Sequence, residues 1–185
     1  MSIASKTNTM ATPELDRLKA NYTTTLAGFL AGDVPAMTFV RRIFSVLHVW
    51  DDLIDRDKTV TDGEIMTAFM IALIELPNDA FYQKHFSVLQ PILINSINNW
   101  HAANLMERTG GEKDKSIAFI LRGTYIDLLS MSAFLVGGSD LSFRMTLYIR
   151  RWAHEEDFPV YLANLSKEIE ARTHLETVHM ENGNV

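Results

Sequence analysis

Residues 48–57 read HVWDDLIDRD, a run whose residue types and spacing could hold a divalent cation. At about 100° per residue, His48, Asp51, Asp52 and Asp55 fall within roughly 100° of arc on one side of a helix. Asp51 and Asp55 are four apart and Asp52 and Asp55 three apart, so their carboxylates point together and repel unless something positive lies between them. Aspartates near a helix C-terminus also oppose the macrodipole, which prefers cations there. A sequence with no use for the cluster has little reason to carry both penalties. The opposite side of the same helix carries Phe39, Ile43, Val46, Leu47, Trp50, Leu53 and Ile54. That stripe can account for the fold alone and leaves a solvated acidic face as the other reading. Met37, Val40 and Phe44 lie on the acidic side one to three turns earlier, as if that side also faces protein.

Two further segments carry polar residues where core is expected. In the apolar run from Ile117 to Gly138, Arg122 and Asp127 are the charged residues. They stand about 140° apart on a helix and do not suit each other as partners. Each needs a partner elsewhere or bears a large desolvation cost. Asp127 could join the aspartates at a shared cation, and Arg122 with Tyr125 could bind phosphate oxygens as a planar fork. Alternatively, each satisfies a helix end or a neighbouring side chain. In PILINSINNWHAANLMER, Asn95, Asn98 and Asn99 share a face with Ala102, the pattern of a hydrogen-bond network, a ligand wall or a partly exposed face.

The stretch DDLID resembles the D-D-x-x-D motif of class I isoprenoid synthases, and LHVWDDLIDRD resembles the aspartate-rich helix of polyprenyl diphosphate synthases more widely. The resemblance implies an all-α bundle in which Asp51, Asp52 and Asp55 hold Mg²⁺ ions that grip a substrate diphosphate. Magnesium favours oxygen ligands shared between a few carboxylates and phosphate oxygens. The expectation is a Mg²⁺-dependent enzyme acting on a diphosphate-bearing small molecule. Asp127 would be a further metal ligand, and Arg122, Tyr125, Asn98, Asn99 and His48 would contact substrate. A second reading is an all-α nucleotide pyrophosphohydrolase of the MazG-like sort, for which Asp52 and Asp55 are the comparable acidic pair. A third is a non-enzymatic helical protein-binding module. The chain as a whole loosely resembles small helical proteins encoded by tailed phages, and such a protein would act on a host or viral partner through an exposed helix face.

The elements that must position these residues read as helices throughout. Thr12 before Pro13 caps a first helix that Gly28 and Gly32 close, and Asp33 with Pro35 opens a second running to about Asp57. Thr61 with Glu64 has capping-box spacing for a third, ending before Pro77. Ser87 with Gln90 suggests the start of a fourth, reaching about Arg108. TGGEKDK is a loop. The apolar run then forms one buried core helix ending at Gly137 and Gly138, Ser139 or Asp140 caps the next, and Pro159 starts a last helix through about Thr173. No run alternates strictly enough to be a strand. The expected fold is an all-α, single-domain bundle of about seven helices over residues 12–174, with a flexible leader at 1–11 and a polar tail at 175–185.

Composition bounds the function. The chain has 185 residues, a net charge of −6 and no cysteine. Its length suffices for one domain with its own core. An acidic chain is poorly suited to holding nucleic-acid phosphates directly. Without cysteine there is no disulfide scaffold, thiolate metal site or cysteine nucleophile. The N-terminus lacks the apolar stretch of a signal peptide, so a cytoplasmic location is expected, in the host if the protein is viral. Arg122 and Asp127 in the most apolar run argue against a membrane span. Homodimerisation is compatible with the apolar content.

Overall fold

The computed structural model describes residues 22–56, 58–154 and 156–169, all in helices or the turns between them, with no strand among them. This is the expected all-α bundle. Both expected ends of the domain, at residues 12 and 174, lie outside the described residues, as do the N-cap at Thr12, the leader and the tail.

The first described helix, α1, covers residues 22–29 and closes through Ala31 and Gly32, both at positive φ, with the Gly32 amide donating to the Ala27 carbonyl at 2.8 Å. Helix α2 spans Val34–Asp55. Asp33 accepts from the Ala36 amide at 2.9 Å, satisfying an otherwise orphaned N–H. Arg56 in the left-handed region ends the helix. Helix α3, Asp62–Met70, carries the expected capping box of Thr61 and Glu64 and runs on into a π turn, Ile71–Glu75.

Chain breaks depart from expectation in three places, one being TGGEKDK, of which only Gly110 and Gly111 lie outside helices because Glu112 already starts the next one. A short helix α4, Ala80–Lys84, intervenes before α5, with Asp79 accepting from the Phe81 and Tyr82 amides at 3.0 Å each. Helix α5 then spans Phe86–Thr109, so Ser87 and Gln90 lie inside it and make no cap. The apolar run is likewise two helices and not one. α6, Glu112–Arg122, passes through a 3-10 turn, Gly123–Tyr125, into α7, Ile126–Ala153. The break has a steric counterpart, because a Cβ on Gly123 would lie 2.5 Å from the His154 ring. Helix α7 breaks again at Gly138, as expected, where φ is 63° and ψ is −160°. The last described helix, α8, covers residues 158–169. The stretch from Glu112 to Ala153 is apolar enough by composition to cross a membrane, although a turn and a kink interrupt it.

The core sits where α1, α2, α5 and α7 meet. Leu26, Leu30, Phe39, Val40, Leu89, Ile126, Leu128, Leu129 and Ile149 are almost wholly removed from water. Each such side chain contributes about 2 kcal/mol of transfer free energy. Phe39 stacks on Tyr82 with ring centroids 5.5 Å apart, and Arg42 of α2 donates to buried Asp79 at 2.6 Å, so α4 is tied to α2 by both packing and charge. Beyond this core, the C-terminal turns of α2, where the aspartates lie, meet α5 through the rings of Trp50 and Trp100, with centroids 4.5 Å apart.

Candidate functional site

Positive charge between the aspartates is supplied by the protein itself. From the last turn of α6, Arg122 reaches the end of α2 and donates through Nη2 to Asp51 Oδ1 at 2.9 Å and to Asp55. Its Nη1 turns to α5, donating to Glu107 Oε2 at 2.7 Å and Asn104 Oδ1 at 3.1 Å. On the far side of Glu107, the Tyr161 hydroxyl of α8 donates to Oε1 at 2.5 Å. Trp100 places its ring 5.9 Å from the guanidinium carbon and its Nε1 donates to Asp51 Oδ1 at 2.9 Å. One guanidinium thus joins α2, α5 and α6, and Glu107 extends the network to α8.

The electrostatics follow from holding one guanidinium among three carboxylates. Burial pushes the Asp51 carboxyl above its ordinary value; Arg122 pulls the other way without overcoming it, and Asp55 adds to the rise. For Arg122, burial alone would lower the pKa. Glu107, Asp51 and Asp55 together outweigh that, and the group stays charged above its ordinary value. Burial raises Tyr161, and its bond to Glu107 raises it further. Tyr125 is raised by burial and then by the Asp51 charge.

A cleft of about 240 Å³ opens beside this network. Among the described residues, its walls include the rings of Trp50, Trp100, Phe119, Tyr125 and Tyr161, the charged groups Asp51, Arg122 and Glu156, and His48 and His154 at its sides. Burial, and then Arg150, hold His154 below the usual imidazole value.

The expected site residues are only partly brought together. Asp51 and Asp55 meet at Arg122, whereas Asp52 pairs with Lys58 at 3.2 Å and Asp127 pairs with Arg150 on α7. Asp127 therefore does not join the aspartate cluster, because the 3-10 turn separates its helix from the one that carries Arg122. Among the described residues, no group of three or more His, Asp or Glu is placed to hold a metal ion. The donor set does not fit a Mg²⁺ centre: a guanidinium stands where the ion would be shared, and the third aspartate of the motif is engaged elsewhere. Arg122 grips carboxylates in place of phosphate. His48 lines the cleft, and its Nδ1 lies 2.8 Å from the Phe44 carbonyl. Tyr125 also lines it, edge-on to Phe44. Asn99 donates to Thr124 Oγ1 at 3.3 Å, and Asn98 is exposed to solvent.

Sequence reasoning missed Trp100, Asn104, Glu107 and Tyr161. A signal existed for Glu107. Leu89, Ser96 and Ala103 are buried at seven-residue spacing along α5, and Asn104 and Glu107 continue that stripe. A carboxylate at such a position demands a buried partner.

Compared with known proteins, the chain matches no family model, no curated protein and no solved structure. Its own geometry carries the functional reading.

Proposed function

We propose that this chain is a non-enzymatic helical interaction module that joins copies of itself, the α3 face of one copy docking against the second half of α7 of the next. The observation that carries the reading is the outer face of α3 and its π turn. Met66, Phe69, Met70, Leu73 and Ile74 are each more than half exposed. At helical spacing they fall within roughly 140° of arc. A contiguous patch of large apolar side chains is the mark of an interaction surface. Two methionines suit it to packing against a helix, and π turns recur at functional sites.

Charge selects the partner. Asp62 and Glu64 border the face at one end, and no Lys, Arg or His occurs from Thr59 to Gln83, while at the other end Glu75 is paired with Arg42 of α2 at 2.9 Å. An acidic border at one end of an apolar face favours an apolar helix with a basic flank. The chain carries one: Phe143, Leu147 and Tyr148, all more than half exposed on α7, share their face with Arg144 and Arg151. The engagement of Asp51 and Asp55 by Arg122 supports this reading over a cation-held diphosphate, which would require Arg122 to be displaced.

Sedimentation velocity tests the proposal with two variants, Phe69→Asp/Leu73→Asp in α3 and Phe143→Asp/Leu147→Asp in α7. The wild type is expected to self-associate, more weakly at high salt, and each variant to be monomeric with unchanged helical circular dichroism. An equimolar mixture of the two variants is expected to form a heterodimer, because each retains the face the other has lost. A monomeric wild type, variants that associate like the wild type, or a mixture that stays monomeric would overturn the reading.

A further inference from the structure

We infer that the cleft between α2, α5, the α6–α7 turn and α8 is a binding site for a small organic monocation, an ammonium group carried on a compact apolar body. The inference is independent of the α3 face, which contributes nothing to the cleft walls. Its volume of about 240 Å³ exceeds the roughly 150 Å³ of a cavity that accommodates benzene. The ligand is therefore of the size of an arylalkylamine or a quaternary ammonium ion, too small to be a nucleotide.

Three features select a cation. Five aromatic rings, Trp50, Trp100, Phe119, Tyr125 and Tyr161, wall the cleft, and ring faces attract positive charge. Trp100 already bears one cation, the Arg122 guanidinium, in that manner. Second, among the described residues the lining carries two carboxylates, Asp51 and Glu156, against one cation, Arg122, which is itself bonded to Asp51, Asp55 and Glu107. Third, Asp51 lines the cleft while its Oδ1 is held by both Trp100 and Arg122, which fixes the carboxylate in place. An anion entering here would meet Asp51 and Glu156, and Arg122, the cation among the described lining residues, is already bonded to carboxylates.

The rings also supply the readout. Two of the three tryptophans of the chain, Trp50 and Trp100, line the cleft, so intrinsic fluorescence and calorimetry can be followed together. The probes are phenethylammonium and tetramethylammonium, the neutral near-isostere benzyl alcohol, and inorganic diphosphate with Mg²⁺. Both cations are expected to bind the full-length protein and change its fluorescence, with benzyl alcohol and diphosphate at least about tenfold weaker. Asp51→Asn keeps an acceptor for Trp100 and Arg122 but removes the charge, and it is expected to weaken phenethylammonium about tenfold at unchanged circular dichroism. Glu156→Gln, at an exposed position, provides a second variant with the same direction and a smaller effect. Failure of both cations to bind, equal binding of benzyl alcohol, preference for Mg²⁺-diphosphate, or full retention of binding in both variants would overturn the assignment.

Discussion

Arg122 stands between the first and last aspartates of DDLID, donating from one nitrogen, Nη2, to Asp51 and to Asp55. Carboxylates four residues apart on a helix face repel, and the positive charge their spacing calls for comes from the last turn of α6. The motif is thereby a tertiary clamp. It closes the C-terminal end of α2 onto α5 through Glu107 and Asn104, at the place where the chain turns from α6 into α7.

Removing the clamp's cation should cost more than any one of its bonds. In Arg122→Met, the buried carboxylates of Asp55 and Glu107 lose their shared counterion, and breaking such a group from one side costs about 3–5 kcal/mol. Arg122 retains some exposure, which places the expected loss near the lower end, about 3 kcal/mol, read as a lower urea midpoint. Arg122→Lys should recover little, since an ammonium lacks the fork that reaches Asp51, Asp55, Asn104 and Glu107 together. Adding Glu107→Gln to Arg122→Met should restore part of the loss, because the amide still accepts from Tyr161 and carries no charge to strand. Equal stability of Arg122→Met and wild type would show that the network contributes nothing.

Asp51 should behave in the opposite sense. Its folded-state pKa lies above the ordinary carboxyl value, chiefly through burial, so its ionised form costs stability at neutral pH. That cost fades as pH falls through the folded pKa and is gone below the unfolded value near 3.8. Asp51→Asn is therefore expected to be as stable as wild type or slightly more so at pH 7, with the difference shrinking on acidification. Urea unfolding of both proteins from pH 7 to pH 3 measures it. A variant that is markedly less stable at pH 7, or a gap that widens as pH falls, contradicts the sign.

Helical punctuation was legible from local chemistry because it is local. Asp33, the Thr61–Glu64 box and the break at Gly138 each act within a few residues. Ser87 and Gln90 misled for a tertiary reason: Asp79, held by Arg42 from α2, caps an earlier turn, and α5 begins ahead of the apparent box. The spacing of Asp51, Asp52 and Asp55 correctly signalled a need for positive charge. It could not say whether an ion or an arginine 67 residues away would meet the need of Asp55. Arg122 was identified as a buried charge in search of a partner, and the same contact satisfies both. Glu107 and Tyr161 were hidden because the bond joining them spans 54 residues.

The two glycines Gly138 and Gly28 should respond oppositely to alanine. Gly138 breaks α7 at φ 63° and ψ −160°, a region essentially closed to residues with a Cβ, and there Gly138→Ala is expected to cost about 1–3 kcal/mol. Open space around the added methyl does not help, since the strain lies in the backbone. Gly28 lies in the last turn of α1 at negative φ, and a Cβ there would meet nothing within 4 Å. Gly28→Ala removes glycine's entropic cost in a helix without a clash and should stabilise by about 0.4–1 kcal/mol. Thermal unfolding of the two variants beside wild type should give midpoints on either side of it. A Gly138→Ala midpoint at or above wild type would mean that α7 runs straight through residue 138, which would also move Phe143 and Leu147 relative to the core and undo the geometry proposed for their docking face.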